Sequence, residues 1–183
     1  MLTLVYIYHR ATMLILIQII SLLFYSAVSI SEDSDQFAWS AERKLTWDDF
    51  KGKPTKTNPA AALTFTDIHI SASYTNGKIN VEVKNFFDKK LSWTKNKTSA
   101  SLLKHEQVHF DITEVHTRIL RKKLSAIASE KSLQNGSFNK ESSKLLKEWH
   151  EFQEKYDKET DHGLIAAKQK EWEDKVALLL KEE

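Results

Sequence analysis

Two hydrophobic periods follow one another in this chain, and their order constrains its fold more than any other feature. Leu63 to Tyr74 reads LTFTDIHISASY, and Lys78 to Phe87 sets Ile79, Val81 and Val83 on one side against Lys78, Asn80, Glu82 and Lys84 on the other. Asn76-Gly77 stands between the two runs. That dipeptide favours a type I′ turn, whose two central residues both need positive φ. Residues 63–87 therefore read as an antiparallel hairpin with one buried face. From about Ser99 the period becomes helical, with Val108, Ile112, Val115 and Ile119 at steps of four, three and four. This first helix runs to about Ser129. A second spans about Asn139 to Tyr156, with Leu145, Trp149, Phe152 and Tyr156 inward, and a third runs from Leu164 to about Lys181 on Trp172, Val176 and Leu179. Breaks are expected at residues 134–137 and at Asp157 to Gly163. The fold class is α+β: a small antiparallel sheet, then three helices.

Composition narrows the classes of function. The chain has 183 residues, a formal net charge of +2 and no cysteine. Near-neutral charge argues against a basic-patch nucleic-acid binder. The absence of cysteine excludes disulfide staples, thiolate metal sites and a cysteine nucleophile. Met13 to Tyr25 is an almost unbroken apolar run, preceded by His9 and Arg10, followed by the small-x-small pattern Ala27-Val28-Ser29, with no acid before Glu32. This is the build of a secretory signal peptide, or of an N-terminal membrane anchor if uncleaved. Residues 30–183 then form one exported domain, secreted or periplasmic, with membrane contact only through the N-terminal segment if that segment stays attached.

The chemistry is carried by His105-Glu106-Gln107-Val108-His109, an HExxH motif inside the first helix. Positions four apart on a helix differ by about 40° and rise about 6 Å, so both imidazoles project from one face and can grip one ion. Glu106 lies about 100° around the helix from His105. It can reach a metal-activated water without being a ligand. In that place it acts as general base, taking the water's proton and handing it to the leaving amine. A hairpin precedes the helix, and an extended peptide substrate can lie along such an edge strand.

A catalytic zinc usually has three protein ligands. His116 lies about 10 Å beyond His109 along the helix, so it reads as an ordinary surface histidine. The longer HExxHxxGxxH motif fails for want of a glycine. The expected source is the polar break from Tyr156 to Gly163. There Thr160 or Asp161 would cap the last helix and fix His162 in its first turn. His162 is the first choice as third metal ligand and Glu159 the second. The Tyr156 phenol is a candidate donor to an oxyanion. His69 alternates with Ile68 and Ile70 and should face solvent.

Several blocks carry a family resemblance: LTWDDFKG (Leu45 to Gly52), Ala60 to Thr64, Ser92-Trp93, LLKHEQVHFDITE (Leu102 to Glu114), and YDKETDHG (Tyr156 to Gly163) followed by Gln169 and Trp172. Together they resemble a bacterial domain-of-unknown-function family described as predicted secreted zinc-dependent proteases. The resemblance implies export, a zinc motif carried by His105, Glu106 and His109, and a role for the His162 block. The expected function is an exported zinc-dependent peptidase using Zn2+, zincin-like in carrying HExxH on its first long helix. Two alternatives are a non-catalytic exported zinc-binding or protein-interaction module and an amidase acting on cell-wall peptides.

Overall fold

A computed structural model describes residues 34–181. The apolar N-terminal run, and with it the expected signal peptide or anchor, lies outside the described residues. From Asp35 onward the described residues group as one compact unit.

The expected hairpin forms from β3 (Thr66–Thr75) and β4 (Lys78–Asp88), paired antiparallel from Thr66↔Phe87 to Thr75↔Lys78. Asn76 and Gly77 make the turn with φ of 53° and 76°. β1 (Gln36–Phe37) adds to the other side of β4, giving the order β1-β4-β3. A second, two-stranded sheet pairs β2 (Ala62–Leu63) with β5 (Trp93–Thr94). Between β1 and β2, Trp47–Asp49 forms a 3-10 turn whose Asp49 carboxylate accepts from the Thr46 amide at 2.9 Å. Gly52 follows, and a Cβ there would stand 2.6 Å from the Lys90 carbonyl oxygen, so only glycine lets the two backbones meet.

Helices make up the rest: α1 (Ala100–Ile127), a short α2 (Glu130–Gln134), α3 (Ser137–Thr160) and α4 (Ala166–Leu179). The α+β class expected from the sequence is what forms: small antiparallel sheets, then three long helices. Among the described residues no helix is long and apolar enough to cross a membrane.

α1 is buried on more than one side. Val108, Ile112, Val115, Leu120 and Leu124 join Ile68 and Val83 of the hairpin and Leu145, Trp149, Tyr156, Trp172 and Val176 of α3 and α4 in the larger core. Phe110 turns the other way, into a smaller core with Leu45, Trp47, Phe50, Ala62 and Phe87. Truncating a residue as enclosed as Leu120 costs about 2–5 kcal/mol, so the orientation of this helix is held firmly by packing.

Three local expectations need correction. The break expected at Asp157 falls later, because α3 continues to Thr160 and ends only where Asp161, His162 and Gly163 take left-handed conformations, with φ of 48°, 53° and 83°. Neither Thr160 nor Asp161 caps the last helix: its N-cap is Ile165, which makes no side-chain cap bond, while the Thr160 hydroxyl donates back to the Tyr156 carbonyl at 2.8 Å. His116, expected on the surface, is buried against Phe152, with ring centroids 5.1 Å apart. His69 is exposed, as the strand alternation requires.

Burial lowers the pKa of His116 to about 4. The unfolded chain protonates this ring near 6.5, so the folded state loses ground as pH falls from 6.5 toward 4 and keeps its full stability above that window. The loss is at most about 3 kcal/mol. His116→Leu should flatten this part of the pH dependence, read as the difference in urea midpoint between pH 7 and pH 4.5 for variant and wild type.

Candidate metal centre

His105 and His109 sit one turn apart on α1 as their spacing requires, and α3 crosses in front of them. There the Asp157 Oδ1 atom stands 3.1 Å from His105 Nε2 and 3.0 Å from His109 Nε2, and the two Nε2 atoms are 3.2 Å apart. His105, His109 and Asp157 are the one group among the described residues whose donor atoms could converge on a metal ion.

The other ring nitrogens are pinned. His105 Nδ1 meets Gln169 Oε1 of α4 at 3.1 Å, and His109 Nδ1 meets Gln153 Oε1 of α3 at 2.7 Å. The direction of each amide is fixed by what its nitrogen does. Gln153 Nε2 donates to the His109 carbonyl at 3.0 Å and to Thr113 Oγ1 at 3.1 Å. Gln169 Nε2 donates to Glu173 Oε1 at 3.0 Å, and the Tyr156 hydroxyl donates to Gln169 Oε1 at 2.8 Å. An amide oxygen can only accept, so both rings carry a proton on Nδ1. In the neutral rings the Nε2 lone pairs therefore face one another and a carboxylate oxygen.

Three lone-pair donors at such distances repel unless positive charge lies among them. Protons supply it in one way. Burial lowers the His109 pKa, but the hydrogen bond and charge of Asp157 outweigh it and raise the pKa above its ordinary value. Burial also pushes the Asp157 carboxyl up, yet the hydrogen bonds from His105 and His109 hold it well below the usual carboxylate range. A divalent cation would supply the charge in the other way, and the donor set fits zinc. Two imidazoles and a carboxylate are ordinary zinc ligands at about 2.0–2.2 Å. A triangle with sides near 3.1 Å has a circumradius of about 1.8 Å, so a point about 1 Å off its plane lies at bonding distance from all three donors.

The surroundings hold the donors in place. Tyr156 stacks on His105, with centroids 4.7 Å apart and planes at 22°, and meets His109 edge-on at 4.9 Å. Gly163 closes against the first ring, where a Cβ would come 3.0 Å from His105 Cγ. Glu106 is buried, lines the cleft over the cluster, and among the described residues its carboxylate takes no hydrogen bond or ion pair.

The structure thus brings together His105, Glu106 and His109 as expected, with a different third member. Asp157 enters because α3 stays helical through it and carries its carboxylate inward. His162 belongs to the left-handed turn just after the helix. Its side chain is 74% exposed and its Nδ1 lies 3.6 Å from Asp157 Oδ1, so it lines the rim of the same cleft outside the donor group. Glu159 points away and accepts from Trp172 Nε1 at 2.8 Å. The Tyr156 hydroxyl, expected as an oxyanion donor, is spent on Gln169 and on the His105 carbonyl at 3.2 Å. Asp157 lies in the block expected to supply the third ligand and Gln169 among the residues that carry the family resemblance, but neither they nor Gln153 has an individual role assigned by the sequence. The spacing of Gln153 and Asp157, four apart and directly after the inward-facing Phe152 and Tyr156, was the signal that could have found two of them.

Residues 27–163 match a bacterial protein family of unknown function, DUF922. The chain belongs to that family. The DUF922 match spans the HExxH helix, Gln153, Asp157 and the turn at Gly163, and ends before Gln169. It bears out the resemblance at the level of the family and brings no activity with it. No curated protein and no solved structure matches the chain.

If the two amides set the ring tautomers, removing either acceptor should weaken zinc binding about 10- to 100-fold. Gln153→Leu and Gln169→Leu test this by competition with a chromophoric chelator. Gln153→Glu, which keeps an acceptor, should recover most of the affinity, and 15N spectra of the imidazoles should report Nδ1 protonation in wild type.

Proposed function

We propose that this protein is an exported zinc-dependent peptidase. The observation that carries the reading is the pairing of a convergent His105–His109–Asp157 donor set with Glu106, a buried residue whose unpartnered carboxylate opens on the same cleft. In this reading the two imidazoles and Asp157 would hold Zn2+. The bound ion supplies a Lewis acid for a carbonyl oxygen and lowers the pKa of a water toward ~7.

The remaining work falls to the chain. Glu106 accepts a proton from the water as its oxygen adds to the peptide carbonyl carbon. When the C–N bond breaks, Glu106 returns that proton to the leaving nitrogen, giving a carboxylic acid and an amine, which settle as carboxylate and ammonium. A carboxylate without hydrogen bonds in the resting site is free to make that transfer. Asp157 balances the charge of the cluster, and Gln153 and Gln169 keep both Nε2 atoms directed inward. Export rests on the N-terminal sequence pattern. The partner in this reading is a peptide or protein, with no role for nucleic acid.

Glu106→Gln should keep full zinc stoichiometry and the wild-type melting curve while cleavage of an unfolded casein-like substrate falls by 100-fold or more, as expected for loss of a general base. Asp157→Ala should lose tight zinc, whereas His162→Ala and Glu159→Ala should retain it. Metal analysis of the purified variants decides between these ligands. Wild type that binds zinc and cleaves no peptide bond in any unfolded substrate would leave a metal-binding module instead.

A further inference from the structure

The cleft over the cluster has a volume of about 520 Å3, and its walls differ in kind. One wall is six consecutive residues, Pro59 to Thr64. A strand that turned a face to the cleft would line it with alternate residues, so a consecutive run marks its edge. The pairing of β2 says the same. The Lys95 amide donates to the Ala61 carbonyl at 2.8 Å, and Ala62 stands opposite Thr94. In an antiparallel ladder this makes residue 61 a hydrogen-bonded position and turns the Ala62 N–H and C=O away from β5. Among the described residues neither group has a partner, and β2 has no second neighbour. Ala62 is nonetheless buried. An unpaired main-chain donor and acceptor in a buried strand are costly unless something pairs with them.

The remaining walls are apolar. Leu102 and Leu164 line the cleft with Leu63, and Leu164 is 80% exposed at the rim, beside Ile165 at 45%. No lysine or arginine lines the cleft, and its two carboxylates, Glu106 and Asp157, lie with the histidines. Away from the donor cluster, an acidic side chain entering here finds no basic partner. A basic one must lie against leucine.

We infer that the cleft takes an extended peptide segment that adds to the β2 edge at Ala62 and carries uncharged, apolar side chains against Leu102 and Leu164. The inference rests on the peptidase reading for what happens to the bound segment, and concerns which segments bind.

Zinc-loaded Glu106→Gln protein allows binding to be measured without turnover. The probes are blocked hexapeptides with a central Leu-Leu, Lys-Lys or Asp-Asp pair, and a Leu-Leu series methylated at one backbone nitrogen at a time. The Leu-Leu peptide should bind at least ten-fold tighter than either charged peptide. One methylation position should weaken it at least ten-fold, and Leu164→Asp, at an exposed position that does not test folding, should weaken it five-fold or more with zinc content unchanged. Equal affinities across the three peptides, or a methylation series without effect, overturns the inference. Wild type that cleaves charged and apolar peptides at equal kcat/KM overturns it while the peptidase reading stands. The binding pattern without any cleavage by wild type sinks the peptidase reading and leaves this inference in place.

Discussion

Two imidazole nitrogens and a carboxylate oxygen meet within 3.2 Å of one another, with the outer nitrogen of each ring already committed to an amide oxygen. Such a meeting is tolerable only around positive charge. The four elements that supply these atoms are arranged to enforce it. α1 brings the rings, α3 brings Asp157 and Gln153, α4 brings Gln169, and the turn between α3 and α4 presses Gly163 on His105. A cluster held this way keeps its geometry before any ligand arrives, which is the property a metal or catalytic site needs most.

Packing explains why α1 can carry that demand. It is wedged between two cores, the hairpin and helices on one side and the aromatic N-terminal segment on the other. Polar contacts add to this hold. The Leu45 amide donates to Gln107 Oε1 at 2.7 Å and the Trp39 indole donates to Asp111 at 2.6 Å, so residues flanking His109 are tied to the segment before β2. The same segment leads into the strand that walls the cleft. Site and wall are therefore set by one body of packing.

Much of this was legible in the sequence because it depends on local period. The Asn76-Gly77 turn, the alternation of β4 and the stripe from Val108 to Ile119 each fix their own conformation, and the HExxH spacing fixes two donors on one face. What was not legible depends on where a helix stops and what crosses it. Asp157 and its neighbours carry polar side chains and read as a break, yet Tyr156 and Thr160 are fully buried and their packing extends α3 by one turn. That single turn decides whether Asp157 or His162 faces the histidines. His116 was misplaced for a related reason, since α3 covers a side of α1 that periodicity alone leaves open. Gln169 belongs to a partner helix 64 residues away from His105, beyond the reach of any spacing rule.

The turn at residues 161–163 holds three left-handed residues in succession, two of them not glycine. L-amino acids resist that hand, so the bend stores conformational energy that the docking of α4 must offset. A chain caught with its final helix undocked would relax the bend, withdraw Gly163 from the first imidazole and free that ring to turn. Maturation of the centre would then be the last event of folding, and its earliest loss under stress would begin at the carboxy-terminal helix while the sheet remained intact.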